Sequence, residues 1–251
     1  MSTIVTSLLV FACVFGAALL GLRLRTVLPE HHLNPDTKDT VKLAMGLVAT
    51  MAALILGLLV ASAKNVYDTE QNGVTQMAAK IVVLDRVLAM YGPETKETRD
   101  LLRRSVERMI ADMWPDKTSE QAQLDPSASR AENIFASIQR LSPRDDMQRA
   151  LKSQAWTTTM DLSQMRWLEF EQAATSISMP LLSILTLWLA VLFISFGLFS
   201  PSNSTVVATL MLAALSVSGA IFLILELDHP FDGVMQIPDA PFVNTISHLG
   251  Q

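Results

Sequence analysis

The sequence predicts an all-α protein with four transmembrane helices and an elongated extramembrane helical bundle between the second and third of them. Half of its 251 residues are hydrophobic and only 17% are charged, whereas soluble domains have about 25% charged residues. Residues 172–225 contain no Asp, Glu, Lys or Arg, and this stretch is long enough for two spans of about 20 residues each. Nowhere does the strand-like alternation of a hairpin appear.

The first apolar segment, residues 3–22, is predicted to be a membrane helix that remains part of the protein. It ends at Arg23 and Arg25, and it has neither a basic start nor a clear small-residue cleavage site, both of which a secretory signal peptide would have. A cleaved signal peptide is the alternative interpretation.

The second segment, residues 43–63, is uncharged and lies between Lys42 and Lys64, so it is long enough to cross the hydrocarbon core. Small residues recur in it every four positions, at Ala49, Ala53, Gly57 and Ala61. Such residues lie close to one face of a helix and let another helix approach closely. This pattern predicts a helix-packing face, although Ala and Gly are also frequent in membrane helices generally.

The third and fourth membrane helices are predicted at residues 179–199 and 205–225. The intervening sequence, Ser-Pro-Ser-Asn-Ser at 200–204, favours a turn because Pro and Asn interrupt helices. This linker is too short for any connection other than a tight antiparallel hairpin. Residues 226–251 form a C-terminal tail after the fourth helix.

An extramembrane helical domain is predicted over residues 64–172, which contain 15 of the 19 basic residues. Apolar positions repeat there at helical spacing. The two stripes are Leu102, Val106, Met109, Met113 and Leu151, Ala155, Thr158, Leu162, Met165. Arg99 and its neighbours alternate with acids, which is typical of a solvated helix face. The stripes require partners within the domain or on a neighbouring subunit.

Acidic residues at the start of the tail suggest a candidate metal site, formed by Glu226, Asp228 and Asp232. Calcium prefers such carboxylate oxygens, so it is the cation to consider. The alternative is an ordinary helix end that leaves the membrane, because Glu226 and Asp228 are two positions apart and point to different helix faces. The pair His31-His32 is interpreted as surface residues, with no third ligand nearby.

Several classes of function are disfavoured by composition and motifs. No nucleophile elbow, zinc-protease motif or phosphate-binding glycine loop is present, so the chain does not read as an enzyme. A net charge of −5 disfavours a nucleic-acid partner. The membrane helices lack the buried charges of ion-coupled transporters, but a channel gated by a hydrophobic constriction needs none.

By the positive-inside rule, the charge distribution favours a cytoplasmic first loop and therefore an external helical domain. That loop carries Arg23, Arg25, Lys38 and Lys42, while Lys64 and Arg166 flank the membrane on the domain side and argue the other way.

Several motifs together resemble the bestrophin-like domain family of mostly bacterial membrane proteins. Leu43 to Asp68 is similar to the second helix of that family. Further similarities occur at His31-His32-Leu33, Asp85-Arg86-Val87-Leu88, Tyr91-Gly92-Pro93, Ser200 to Thr205, and the tail from Leu227 to Gly233. The resemblance covers nearly the whole chain and implies a bacterial inner-membrane location.

A more distant resemblance to bestrophins implies a ring-shaped anion channel with its helical domain in the cytoplasm, opposite to the charge count. Bestrophins bind calcium near a Pro-Phe-Gly motif that several acids follow. Here Pro230-Phe231 matches, but Asp232 precedes Gly233 and only Asp239 follows. Their second helix lines the pore, so the resemblance implies a candidate constriction at Met51, Leu54, Ile55 and Leu58.

Two hypotheses about function follow. The first is a homo-oligomeric pore in the lipid bilayer. The second is a non-conducting membrane scaffold or sensor whose helical domain binds a partner protein.

Overall fold

The computed structural model describes residues 3–29, 35–114, 128–173, 179–231 and 233–250. These ranges contain eight α-helices, a single 3₁₀ turn at Pro93–Thr95 and no strand, which confirms the all-α prediction. The helices are α1 (Thr3–Val27), α2 (Pro35–Tyr91), α3 (Lys96–Met113), α4 (Ala128–Arg140), α5 (Asp146–Ala173), α6 (Met179–Phe199), α7 (Ser204–Leu227) and α8 (Ala240–His248).

Four helices, α1, α2, α6 and α7, are long and apolar enough to cross a bilayer, as the sequence predicts. The second is much longer than its predicted membrane segment, with 57 residues against the 21 of 43–63. Lysine is a good helix former, so Lys42 and Lys64 bound the apolar stretch without ending the helix. The helix ends only at Gly92-Pro93, where Gly92 adopts φ +136°, a conformation that favours glycine.

The turn between α6 and α7 falls at residues 200–203. Helix α6 ends at Phe199, and α7 begins at Ser204. The side chain of Asn203 accepts a hydrogen bond from the Val206 amide at 2.8 Å, which satisfies one of the free N–H groups at the start of α7. The segment 116–129 is polar, and its composition predicts a loop. The structure describes only its last two residues, which belong to α4.

Contacts divide the chain into two compact units, of which the first comprises Met1–Tyr67 and Ser176–Met235. In this unit α1 packs along α6 and α7. Its core is almost wholly aliphatic, and its most buried members include Val14, Ala18, Leu185, Ala214 and Ile221. Ser218 donates a hydrogen bond of 2.6 Å to the Ser7 carbonyl within this core.

The second unit comprises Asp68–Thr175 and Gln236–Gln251. Leu102 and Val106 of one predicted stripe and Leu151, Ala155 and Leu162 of the other are buried in it. The tail contributes α8, a helix that is not among the predicted elements. Phe242 of α8 is fully buried and makes a T-shaped contact with the ring of Trp114. The Nε1 atom of Trp114 donates a 2.8 Å hydrogen bond to the Ile237 carbonyl.

A buried ion pair corrects the interpretation of Arg99 as part of a solvated face. Its guanidinium donates to both carboxylate oxygens of Asp85, at 2.7 and 2.8 Å, and the Asp85 side chain is only 3% exposed. These hydrogen bonds raise the pKa of the Arg99 guanidinium above its ordinary value, against the opposing effect of burial. The alternating charges misled the prediction because charge alternation does not show which cation has a buried partner.

Candidate functional site

The apolar part of α2 is the least covered of the four membrane helices. In its most apolar stretch of 18 residues, only 11% of the residues are buried. The corresponding share is 28% in α1 and α7 and 33% in α6. A thin line of residues, Ala52, Leu59 and Ala63, contacts the core of the first unit. Most of the remaining circumference is exposed on the single chain.

The predicted packing face lies on this exposed side. Ala53, Gly57 and Ala61 are exposed, and Ala49 is half-buried. A methyl group added at Gly57 would meet nothing within 4 Å. Ala49 packs against the core of the first unit, whereas Ala53, Gly57 and Ala61 are not used for close packing within the chain. A role of this face in packing against another chain stays a prediction.

Three of the four residues of the candidate constriction are also exposed. Leu54 is 72% exposed, and Met51 and Leu58 belong to the same surface. With Leu43 and Leu47, they are spaced by four, four, three and four positions, which is one stripe of a helix. Ile55 differs, because it is half-buried and packs against the core of the first unit. The stripe beside the small residues is wholly apolar, so it can contact lipid or form a hydrophobic wall.

The tail site is organised around a buried carboxylate. One oxygen of Glu226 accepts a hydrogen bond from the Thr3 hydroxyl, and the other accepts one from the Val234 amide, each at 2.6 Å. Glu226 is fully buried at the end of α7. Its environment therefore already provides the partners that a buried carboxylate needs.

Gly233 is required by the same arrangement. It adopts φ +97°, and a Cβ atom added there would collide with the carboxylate of Glu226. The turn after α7 thus closes directly over the acid.

The structure describes two of the three predicted cation ligands, Glu226 and Asp228. Asp228 is half-buried, and Asp232 lies outside the described residues, as do His31 and His32. Among the residues that the structure does describe, no three His, Cys, Asp or Glu side chains group closely enough to hold a metal ion. Calcium binding by Glu226, Asp228 and Asp232 stays a prediction.

Helices α1 and α6 approach each other closely at two glycines that lie outside the predicted packing face. A Cβ atom at Gly21 of α1 would collide with the Ile194 carbonyl of α6, and one at Gly197 of α6 would collide with the Ala18 carbonyl of α1. A signal was present, since Ala17 and Gly21 have the same four-residue spacing of small residues as the chosen face of α2.

Comparisons with known proteins agree with this architecture. The family model described as the bestrophin-like domain matches residues 11–242. No match was found among the curated proteins.

Two solved structures of a bacterial bestrophin homologue from Klebsiella pneumoniae, each with one substitution, share the fold. For one, the TM-score is 0.68 at 14% identity, over 99% of this chain and 97% of that chain. For the other, the TM-score is 0.63 at 16% identity, over 94% and 97% respectively. The family match spans nearly the whole length, and the fold likeness covers both units: the chain belongs to the bestrophin-like family.

Proposed function

We propose that this chain is a multi-pass protein of the cell membrane that assembles with copies of itself into a pore, with α2 facing the conduction path. The observation that carries the proposal is the exposure of α2. Only 11% of the residues in its most apolar stretch are buried in the single chain. A ring of copies would cover part of this surface and leave the rest facing the lumen.

The two exposed faces of α2 suit these two roles. The small residues Ala53, Gly57 and Ala61 would let the α2 of one copy approach a helix of the next copy closely. The adjoining stripe of Met51, Leu54 and Leu58 would then line the lumen. Lipid alone could cover the large apolar side chains. Contact with lipid would not require small residues at every fourth position, whereas close contact with another helix would.

The lumen would be gated without charge. No charged side chain lies between Leu43 and Leu58, and the hydroxyl of the polar residue Thr50 donates a 2.8 Å hydrogen bond to the Leu47 carbonyl. A narrow hydrophobic constriction resists ions by excluding water. The resemblance to bestrophins favours anions as the conducted species, with no catalytic step.

The first experiment is the oligomeric mass in mild detergent, measured with a calcium chelator and again with added calcium. A ring of several subunits is expected. A difference in oligomeric mass between the two conditions would support a cation site at Glu226, Asp228 and Asp232. A monomer or dimer in both conditions would overturn the pore and leave the alternative, a scaffold whose domain at 64–172 binds a partner protein.

The second experiment measures chloride flux in proteoliposomes. The substitution Leu54→Ser is expected to raise flux, because a hydroxyl in the constriction lets water enter it more readily. Leu212→Ser is the matched control, since Leu212 on α7 is also a leucine with similar exposure, 64% against 72%. Equal flux in the two variants and the unmodified protein would show that Leu54 does not line a constriction.

A further inference from the structure

A cavity of about 300 Å³ lies in the first unit, where the end of the apolar part of α2 meets the last turns of α7. Its walls are mainly aliphatic and include Val60, Leu223, Ile224, Leu227 and Met235. The volume is at the lower end of the range for small-molecule sites in proteins. The site can therefore hold one flexible apolar segment of a larger molecule.

One charged residue, Lys64, is among the residues that line this cavity. Its Nζ atom lies 5.4 Å from the centroid of the Tyr67 ring, within the range of a cation–π interaction. Tyr67 also lines the cavity, so the ammonium is held beside the apolar walls. The site combines an apolar groove with a cation at its edge.

The position of Lys64 along the chain places this cation at a membrane boundary. It is the first charged residue after the uncharged stretch 43–63, and the α7 residues of the cavity lie in the last two turns of that membrane helix. Glu226, the acid next to the lining residue Leu227, is buried, and its oxygens accept hydrogen bonds from Thr3 and Val234. The buried acid is therefore already compensated locally.

We propose that this cavity binds an anionic membrane phospholipid, with part of one acyl chain against Leu223 and Leu227 and the phosphate beside the Lys64 ammonium. Basic residues just outside the hydrocarbon attract anionic lipids, and the acyl chain gains van der Waals contacts with the aliphatic walls. The remainder of the lipid stays in the bilayer. The site requires that a neighbouring copy packed on Ala53, Gly57 and Ala61 leave this groove open to the bilayer.

Native mass spectrometry of the full-length protein, loaded separately with phosphatidylglycerol and phosphatidylcholine, tests the site. The unmodified protein is expected to retain phosphatidylglycerol preferentially. Lys64→Gln should reduce that retention about fivefold, which is the contribution of one basic residue near an anionic lipid surface. Leu223→Trp should reduce retention of both lipids because the indole fills the groove.

Two matched substitutions control for general effects of charge and size. Lys42→Gln removes a cation at the other end of the same apolar stretch, where Lys42 is exposed and pairs with Asp39 at 3.3 Å. Leu215→Trp enlarges a residue of α7 that is 57% exposed, compared with 50% for Leu223. Both variants should retain phosphatidylglycerol as the unmodified protein does.

Three results would overturn the proposal. Unchanged phosphatidylglycerol retention in Lys64→Gln would show that the Lys64 ammonium does not bind the lipid phosphate. Equal retention of the two lipids by the unmodified protein would indicate nonspecific annular lipid. Efficient crosslinking between copies of a Cys13→Ser, Leu223→Cys variant would show that a second copy of the chain covers the groove.

Discussion

At the scale of single residues, Glu226 ties three parts of the first unit together. Its carboxylate accepts from Thr3 in α1 and from Val234 in the turn after α7, and Gly233 leaves room for it. Glu226→Ala should lower the free energy of unfolding by about 1–3 kcal/mol, because it leaves buried donors without an acceptor. Thermal unfolding at fixed detergent composition measures this change.

Glu226→Gln should have a smaller effect, since an amide oxygen still accepts one of the two hydrogen bonds. Asp39→Ala is the control, because Asp39 forms an exposed ion pair with Lys42, and such pairs contribute about 0–1 kcal/mol. If Glu226→Ala and Asp39→Ala had equal effects, the buried carboxylate would not be holding the turn.

At the scale of helices, the contact between α1 and α6 depends on glycine at the crossing. Gly197→Ala should destabilise the protein by about 1–3 kcal/mol, because the new methyl group collides with the backbone of α1 and forces the helices apart. Gly21→Ala should act in the same way through the Ile194 carbonyl. Unfolding temperatures of the single variants provide the measurement.

The control substitutions are not expected to lower the free energy of unfolding. Gly16 and Gly219 lie in the same kind of membrane helix, but an added Cβ would meet nothing within 4 Å at either position. Alanine favours a helix interior over glycine by about 1 kcal/mol, so Gly16→Ala and Gly219→Ala should be neutral or stabilising. Destabilisation by all four substitutions would show that close backbone approach is not the cause.

At the scale of the whole molecule, the exposed small-residue face of α2 predicts where copies meet. Gly57→Leu should shift the oligomer toward smaller species, because the larger side chain keeps the neighbouring helix away. Folding of the single chain should be unaffected, since nothing lies within 4 Å of a Cβ at this position. Mass photometry in mild detergent, with circular dichroism as the check on folding, measures both properties.

Gly219→Leu is the matched control, because Gly219 is also exposed and unobstructed but lies on α7 rather than α2. It should leave the oligomer unchanged. If Gly57→Leu also left the mass unchanged, α2 would face lipid instead of a neighbouring copy, and the proposed arrangement of the pore would be wrong.

Much of the fold could be predicted from local sequence because the bilayer imposes a length and a composition on each helix. The spans at 179–199 and 205–225 differ from α6 and α7 by no more than two residues at either end. Asn203 and Pro201 punctuate the chain there through their own backbone chemistry. Helix α2 was underestimated because the end of an apolar stretch marks a change of solvent, not the end of a helix.

The candidate site could be predicted only as sets of residues on helix faces. Spacing placed Ala53, Gly57 and Ala61 together, and it placed Met51, Leu54 and Leu58 together, because helical periodicity is a local property. It did not show that both faces are left exposed by the single chain, nor that Ile55 turns inward. Those facts depend on which side of α2 the other helices cover.

The sequence by itself determined the helical class, the four apolar helices and the position of the hairpin, since each follows from short-range composition and backbone preference. The tertiary structure alone decided that Gly21 and Gly197 form the close crossing, that Asp85 pairs with Arg99, and that Glu226 meets Thr3. Each of these contacts joins residues that are distant along the chain, or joins one particular cation to one acid. Local patterns do not distinguish such partners, because only packing in three dimensions determines which side chains are removed from solvent together.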